Sequence, residues 1–363
     1  MMKTEFGNKP IGGEFAIDKK WYDLVQGTKA SDISLFSCGR SALYAALKDI
    51  NGTVILPDYL CESIIDAVKK AGAGYIFYHV DASMKPVNES ILEAYDRCPF
   101  NAVLLINYFG LRDNGDTIAF IREKLPEIKI ITDCVQDQYG YAGLKDYDYA
   151  FNSLRKWFPV PDGAYLKKKE DSKIRCLMPV SGPGQVSDSG FQAYKLAGNL
   201  LKQYGAAVSE DIFLDLIEKG EEMLDEDFLC KTSLFSTKAV NVIDYEGAAA
   251  ARRKNGAFLD EKLTAMGLEH IRYDNGNDRA VPFFIPLICK DRDTRDGLRM
   301  HLRSKGIFAP VHWPAPDDPD IKNDLYDREL SLTCDQRYGP EDMERLTEAI
   351  SDYFGQYDRV NQM

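Results

Sequence analysis

Ile128-Lys129-Ile130-Ile131-Thr132-Asp133-Cys134-Val135-Gln136 is the stretch on which the fold turns. Its opening is β-branched and apolar apart from one lysine, as a buried strand requires, and the run stops at an acid. Short runs of the same kind stand on either side, at residues 102–108 and 149–151, and upstream at 33–36, 53–56 and 75–80. Amphipathic stretches separate them. Residues 41–47 open after a glycine, while Ile64, Ile65, Val68 and Ala71, and again Ile118, Ile121 and Leu125, recur at helical spacing. This alternation predicts an α/β fold with a parallel sheet, right-handed crossovers and the carboxyl ends of its strands along one edge.

Beyond Gly163, residues 164–166 read as one more short strand, residues 190–230 as polar-faced helix and 245–266 as a long helix. A strand at 281–288, a helix at 294–304, a strand after Gly306 and a final helix from Pro340 predict a smaller α+β unit. Residues 232–238 interrupt the helical pattern, so the division is placed there, with residues 1–235 as the large domain and 236–363 as the small one. A chain of 363 residues exceeds what one core usually holds.

Charge and composition exclude several classes. With 57 acidic and 45 basic side chains the net charge is −12, which opposes non-specific binding to nucleic acid. No apolar run approaches the roughly 18 residues of a membrane span, and residues 1–10 lack the apolar stretch of a secretory signal. The eight cysteines form no C-x-x-C pair and the four histidines show no metal spacing, so a cytoplasmic protein without a metal is expected.

Ligands of open α/β sheets bind beyond the carboxyl ends of the strands. Three groups there carry chemistry. Gly39-Arg40-Ser41 begins a helix, which suits either a phosphate or a plain cap. Asp133, with Gln136 three residues on, is either a turn cap or the anionic partner of a protonated ring nitrogen. Lys156, between Arg155 and Trp157, is either a surface side chain or an amine tuned by a neighbouring cation to form a Schiff base.

Taken in order, these pieces resemble one family. Ser37-Cys38-Gly39-Arg40-Ser41-Ala42-Leu43, Pro57-Asp58-Tyr59-Leu60-Cys61, Thr132-Asp133-Cys134-Val135-Gln136 and Ser153-Leu154-Arg155-Lys156 with Pro161-Asp162-Gly163 are similar to the DegT/DnrJ/EryC1/StrS group of pyridoxal-phosphate (PLP) enzymes, mostly sugar aminotransferases. The likeness runs from about Ile11 to the C-terminal helix. It implies fold type I, with a mostly parallel seven-stranded sheet in the large domain and a smaller C-terminal α+β domain. It implies that Lys156 binds pyridoxal 5'-phosphate covalently and moves the proton, and that Asp133 keeps the pyridine nitrogen protonated. Gln136 would contact the 3-oxygen side of the ring, and Gly39, Arg40 and Ser41 the phosphate. Many members place a serine five residues before the lysine, where this chain has Phe151, so Asn152 or Ser153 is the expected substitute. Cys61 falls where a ring-stacking aromatic often lies, which makes Tyr59 its replacement.

The activity implied is transfer of an amino group from an amino acid, by family habit glutamate, to a keto-sugar, nucleotide-linked, in a homodimer. Relatives with histidine at the lysine position are dehydratases, and Lys156 favours transamination. The stretch Pro310-Val311-His312-Trp313-Pro314, together with Arg337, resembles the family's loops near the substrate; Arg337 is read either as a carboxylate binder or as a surface lead-in to the last helix. The rival readings are a PLP enzyme of another type, such as a lyase or amino-acid aminotransferase, and a PLP-binding regulatory or assembly protein without turnover.

Overall fold

The computed structural model describes residues 9–31, 35–169, 190–204, 210–273 and 280–361. Its strands are β1 (Ile11–Gly12), β2 (Thr53–Pro57), β3 (Gly74–Tyr78), β4 (Ala102–Ile106), β5 (Lys129–Asp133), β6 (Tyr149–Phe151), β7 (Leu166–Lys168), β8 (Phe284–Ile288), β9 (Ile307–Phe308) and β10 (Glu329–Thr333). The main sheet has the order β3-β2-β4-β5-β6-β7. All its pairings are parallel except β6 with β7. Every residue of β4 is buried, as expected for a parallel strand covered on both faces.

Six strands, against the expected seven, form this sheet among the described residues. Of the strand expected at 33–36, residues 33 and 34 lie outside the described residues, and Phe36 makes only isolated antiparallel bridges to Ala164 and Lys231. The chain then enters the helix Gly39–Ile50.

A large hydrophobic cluster surrounds the main sheet. A second cluster lies around the antiparallel pair β8–β10 and includes side chains of the helices Tyr245–Ala265, Arg292–Ser304 and Pro340–Asn361. Between the units, residues 232–238 are not a simple break. Ser233 caps a short helix, Leu234–Ala239, by accepting from the Ser236 N–H. The buried Asp162 carboxylate accepts in turn from the Ser233 N–H (2.6 Å) and hydroxyl (2.6 Å) and from the Ser236 hydroxyl. The turn at Pro161-Asp162-Gly163 thus ties down the short helix Leu234–Ala239.

Candidate active site

Strand register gathers the site. β5 and β6 are parallel neighbours with Asp133 opposite Phe151, so the loop carrying Ser153 and Lys156 leaves the sheet beside Asp133. Ile106 pairs with Asp133 on the other side, which places the Asn107–Gly110 turn next to them. There Phe109 adopts φ 58°, a left-handed conformation costly for a bulky residue, and its N–H donates to Gln136 Oε1 (3.1 Å). Gln136 is thereby oriented, and its amide nitrogen has no protein partner among the described residues.

Gly39, Arg40, Asp133, Gln136, Ser153 and Lys156 line one cavity of about 450 Å³, within the range usual for small-molecule sites. The Asp133 carboxyl accepts from the Val135 N–H (2.8 Å). Burial pushes it up to about 7, with that hydrogen bond and Lys156 pulling the other way. It has no ion pair among the described residues. Lys156 is exposed, but to the cavity rather than to open solvent. Withdrawal from bulk water and then the Arg155 guanidinium hold its ammonium below the ordinary lysine value, while Glu221 opposes this. Glu221 lies 2.7 Å from Arg155 and also contacts Lys195. Although its burial favours the neutral acid, these two cations keep it strongly acidic.

The glycine at 39 has a steric reason. A Cβ there would lie 3.0 Å from Val135 Cγ2, so glycine lets the helix start approach the Asp133–Gln136 loop without displacing that side chain. The first amides of that helix have no intrahelical acceptor. The Arg40 guanidinium is paired with Asp225 at 2.7 Å and lies over the Phe228 ring.

Three expected contacts do not face the cavity. Ser41 is fully buried, its hydroxyl donating to the Cys38 carbonyl (2.8 Å) and accepting from the Cys38 N–H (3.1 Å), so it is the plain cap. Asn152 is also fully buried; it donates to Gln138 Oε1 (2.7 Å) and accepts from the Tyr165 N–H (2.8 Å). Ser153, by contrast, opens on the cavity, with no protein partner for its hydroxyl among the described residues. Tyr59 is enclosed by Tyr108, Trp313 and Tyr326, and its hydroxyl donates to the His312 carbonyl. It is a strut beneath the loop, not a wall of the site. The cavity wall at that point is Cys61.

Sequence reasoning left out of the site several residues that line it: Arg155, Glu221, Phe283, His312 and Trp313. Only the Pro310–Pro314 motif signalled the last two. His312 is held by its Nδ1 contact with the Ser331 hydroxyl (2.7 Å) and by its backbone N–H donating to Glu329 (2.7 Å). Burial, with a contribution from Lys156, pushes its imidazole down to about 3, so it is neutral. Arg337 is neither a free carboxylate binder nor a surface residue. It bonds Asp335 through two atoms (2.9 and 2.7 Å) and donates to the carbonyls of Gly13 (2.8 Å) and Glu14 (2.9 Å).

No protein-family model matches the sequence, and no curated protein does. Solved structures do match. PseC of Helicobacter pylori, an aminotransferase involved in pseudoaminic acid biosynthesis, is 12% identical with TM-score 0.65, over 96% of this chain and 100% of that one. A DegT DnrJ EryC1 StrS aminotransferase from Brucella abortus is 16% identical with TM-score 0.57, over 92% and 89%. Spr1654 of Streptococcus pneumoniae in its PMP-form is 12% identical with TM-score 0.64, over 97% and 94%. The chain has their fold. It is the fold-type-I architecture expected above, and the cavity at the ends of β5 and β6 lies where open α/β sheets bind ligands.

Proposed function

We propose that the chain is a PLP-dependent aminotransferase that moves an amino group from an amino acid, glutamate, to a keto-sugar carried on a nucleotide. The observation that carries this reading is the meeting of Lys156, Asp133 and Gln136 in one cavity of a fold-type-I chain. The donor set fits the cofactor. Asp133 is a buried carboxyl with no ion pair among the described residues, suited to a protonated ring nitrogen. Gln136 has an amide nitrogen to give, and Lys156 is an amine held below its usual basicity. The match to Spr1654, solved in a PLP-form and a PMP-form, and to PseC supports the same class.

When bound, PLP supplies an electrophilic carbonyl and an electron-withdrawing ring. The residues do the rest. Lys156 Nζ provides a neutral amine for covalent attachment and then takes and returns a proton. Asp133 holds the positive charge on the ring nitrogen, and its burial strengthens that attraction. Gln136 orients the ring from its amide. The Gly39 and Arg40 amides with the Ser153 hydroxyl receive the phosphate, Ser153 taking the role left open by Phe151. Phe151, Phe283 and Trp313 exclude water.

The same reading takes the chain to be a cytoplasmic homodimer divided near residue 235. The seven described cysteines are all free, which supports a reducing compartment, and no described helix is long and apolar enough to cross a membrane. Sedimentation tests the dimer and limited proteolysis the division.

The decisive experiment is the near-visible spectrum of the protein incubated with PLP, beside Lys156→Ala. A band that needs Lys156 and is bleached by glutamate supports transamination. A Lys156-dependent band that no amino donor discharges favours the lyase or regulatory reading. Absence of a band rejects the cofactor.

A further inference from the structure

Lys156 stands where two cavities meet. The second, about 480 Å³, shares Arg155, Lys156, Phe283 and His312 with the first and opens past the N-terminal segment, β9 and the helix Arg292–Ser304. Its charge runs against that of the chain. Arg155, Lys156, Arg252, Arg299, Arg303 and Arg337 line it, against the acids Glu14 and Asp335, in a protein of net charge −12.

Four of these cations are committed elsewhere. Arg155 pairs with Glu221, and Arg337 is locked to Asp335. Arg252 donates to Gln336 Oε1 (2.7 Å) and to the carbonyls of Pro282 (3.2 Å) and Phe283 (3.0 Å). Lys156 is the proposed reactive amine. Arg299 and Arg303 remain. They are exposed, four residues apart on one helix, and have no protein partner among the described residues. Such a pair projects from one face within about 5–6 Å. Beside them Met300 and Phe308, 63% and 37% exposed, give the mouth an apolar side.

We infer that this second cavity seats the substrate, and that Arg299 and Arg303 bind an anionic group on it, carboxylate or phosphate, while its reactive end reaches Lys156. Guanidinium forks match either oxyanion, and a positive mouth on an acidic protein draws anions to the lysine. The inference rests on the proposed function for the direction of binding, but the anion site itself is tested separately.

The full chain incubated with PLP is compared with R299E/R303E, whose two positions are exposed and whose folding is checked by thermal melting. Inorganic pyrophosphate and UDP are titrated by calorimetry, and glutamate by loss of the Lys156-dependent band. We expect at least one probe to bind the unsubstituted chain, tenfold or more weaker binding to the double variant, and weaker binding with added salt. Loss confined to pyrophosphate and UDP assigns the pair to a phosphorylated acceptor; loss confined to glutamate assigns it to the amino donor. Equal affinity in both proteins, or no binding of any probe, overturns the inference. A missing Lys156-dependent band rejects the cofactor reading alone, because calorimetry with pyrophosphate and UDP does not depend on it.

Discussion

At the scale of single residues, the site depends on two groups, Asp133 and Lys156, whose charge states are set against their habits. Asp133→Asn tests one of them without changing shape. In the cofactor-free protein the Asp133 carboxyl titrates near 7, above its ordinary 3.8. Between these values the unfolded chain has released the proton and the folded chain still holds it. The carboxyl therefore lowers stability as pH rises through that window, by about 1.4 kcal/mol per pH unit. D133N removes the effect, so its melting temperature should exceed that of the unsubstituted protein at pH 8, with the gap closing toward pH 4. With PLP and substrates present the order reverses in function, and kcat should fall at least 100-fold. Ser153→Ala should weaken PLP about tenfold, measured by titration of the Lys156-dependent band, with little change in melting temperature. That Asp133, Gln136 and Lys156 share one cavity was legible in the sequence because each ends or closely follows a strand, and strand ends determine position. Asn152 and Tyr59 follow strands too, and Ser41 opens a helix, yet their side chains turn into a loop clamp, an aromatic core and a cap. One sequence does not reveal which way a side chain points once packing decides it.

At the scale of elements, the site is a contact between a helix start and a strand end. Gly39→Ala would push a methyl group to 3.0 Å from Val135 Cγ2. Val135 also holds Trp157 through its carbonyl (2.9 Å), so the displacement reaches the lysine loop. A drop of roughly tenfold in PLP affinity is expected, within the 1–3 kcal/mol usual for overpacking. Phe151, 2% exposed, fills the space beside the same glycine. Phe151→Ala should cost about 3–5 kcal/mol in urea unfolding, which marks it as core and explains why a hydroxyl must come from elsewhere. The strands β2 to β6 were legible because their apolar runs are short and well separated, whereas β7 lies at Leu166–Lys168 and overlaps the run expected at 164–166 by one residue. The helix Leu234–Ala239 was not, since it is stabilised by Asp162, some 70 positions upstream.

At the scale of the whole molecule, polar clamps tie distant stretches of the chain together, and Arg337 is one of these. It neutralises the buried Asp335 and grips the carbonyls of Gly13 and Glu14. Arg337→Ala leaves that carboxylate without its ion-pair partner and should cost about 3 kcal/mol in urea unfolding, with earlier proteolytic cutting near residue 13. The clamp helps to hold β1, whose Ile11 pairs with Ile307 on β9. Seen as an event in time, that pairing is late. A ribosome adding about 5–20 residues per second needs roughly 15–60 s to travel from the first strand to its partner. The large sheet has emerged by then, and β1, which is no part of it, finds its partner only after nearly everything else has been made.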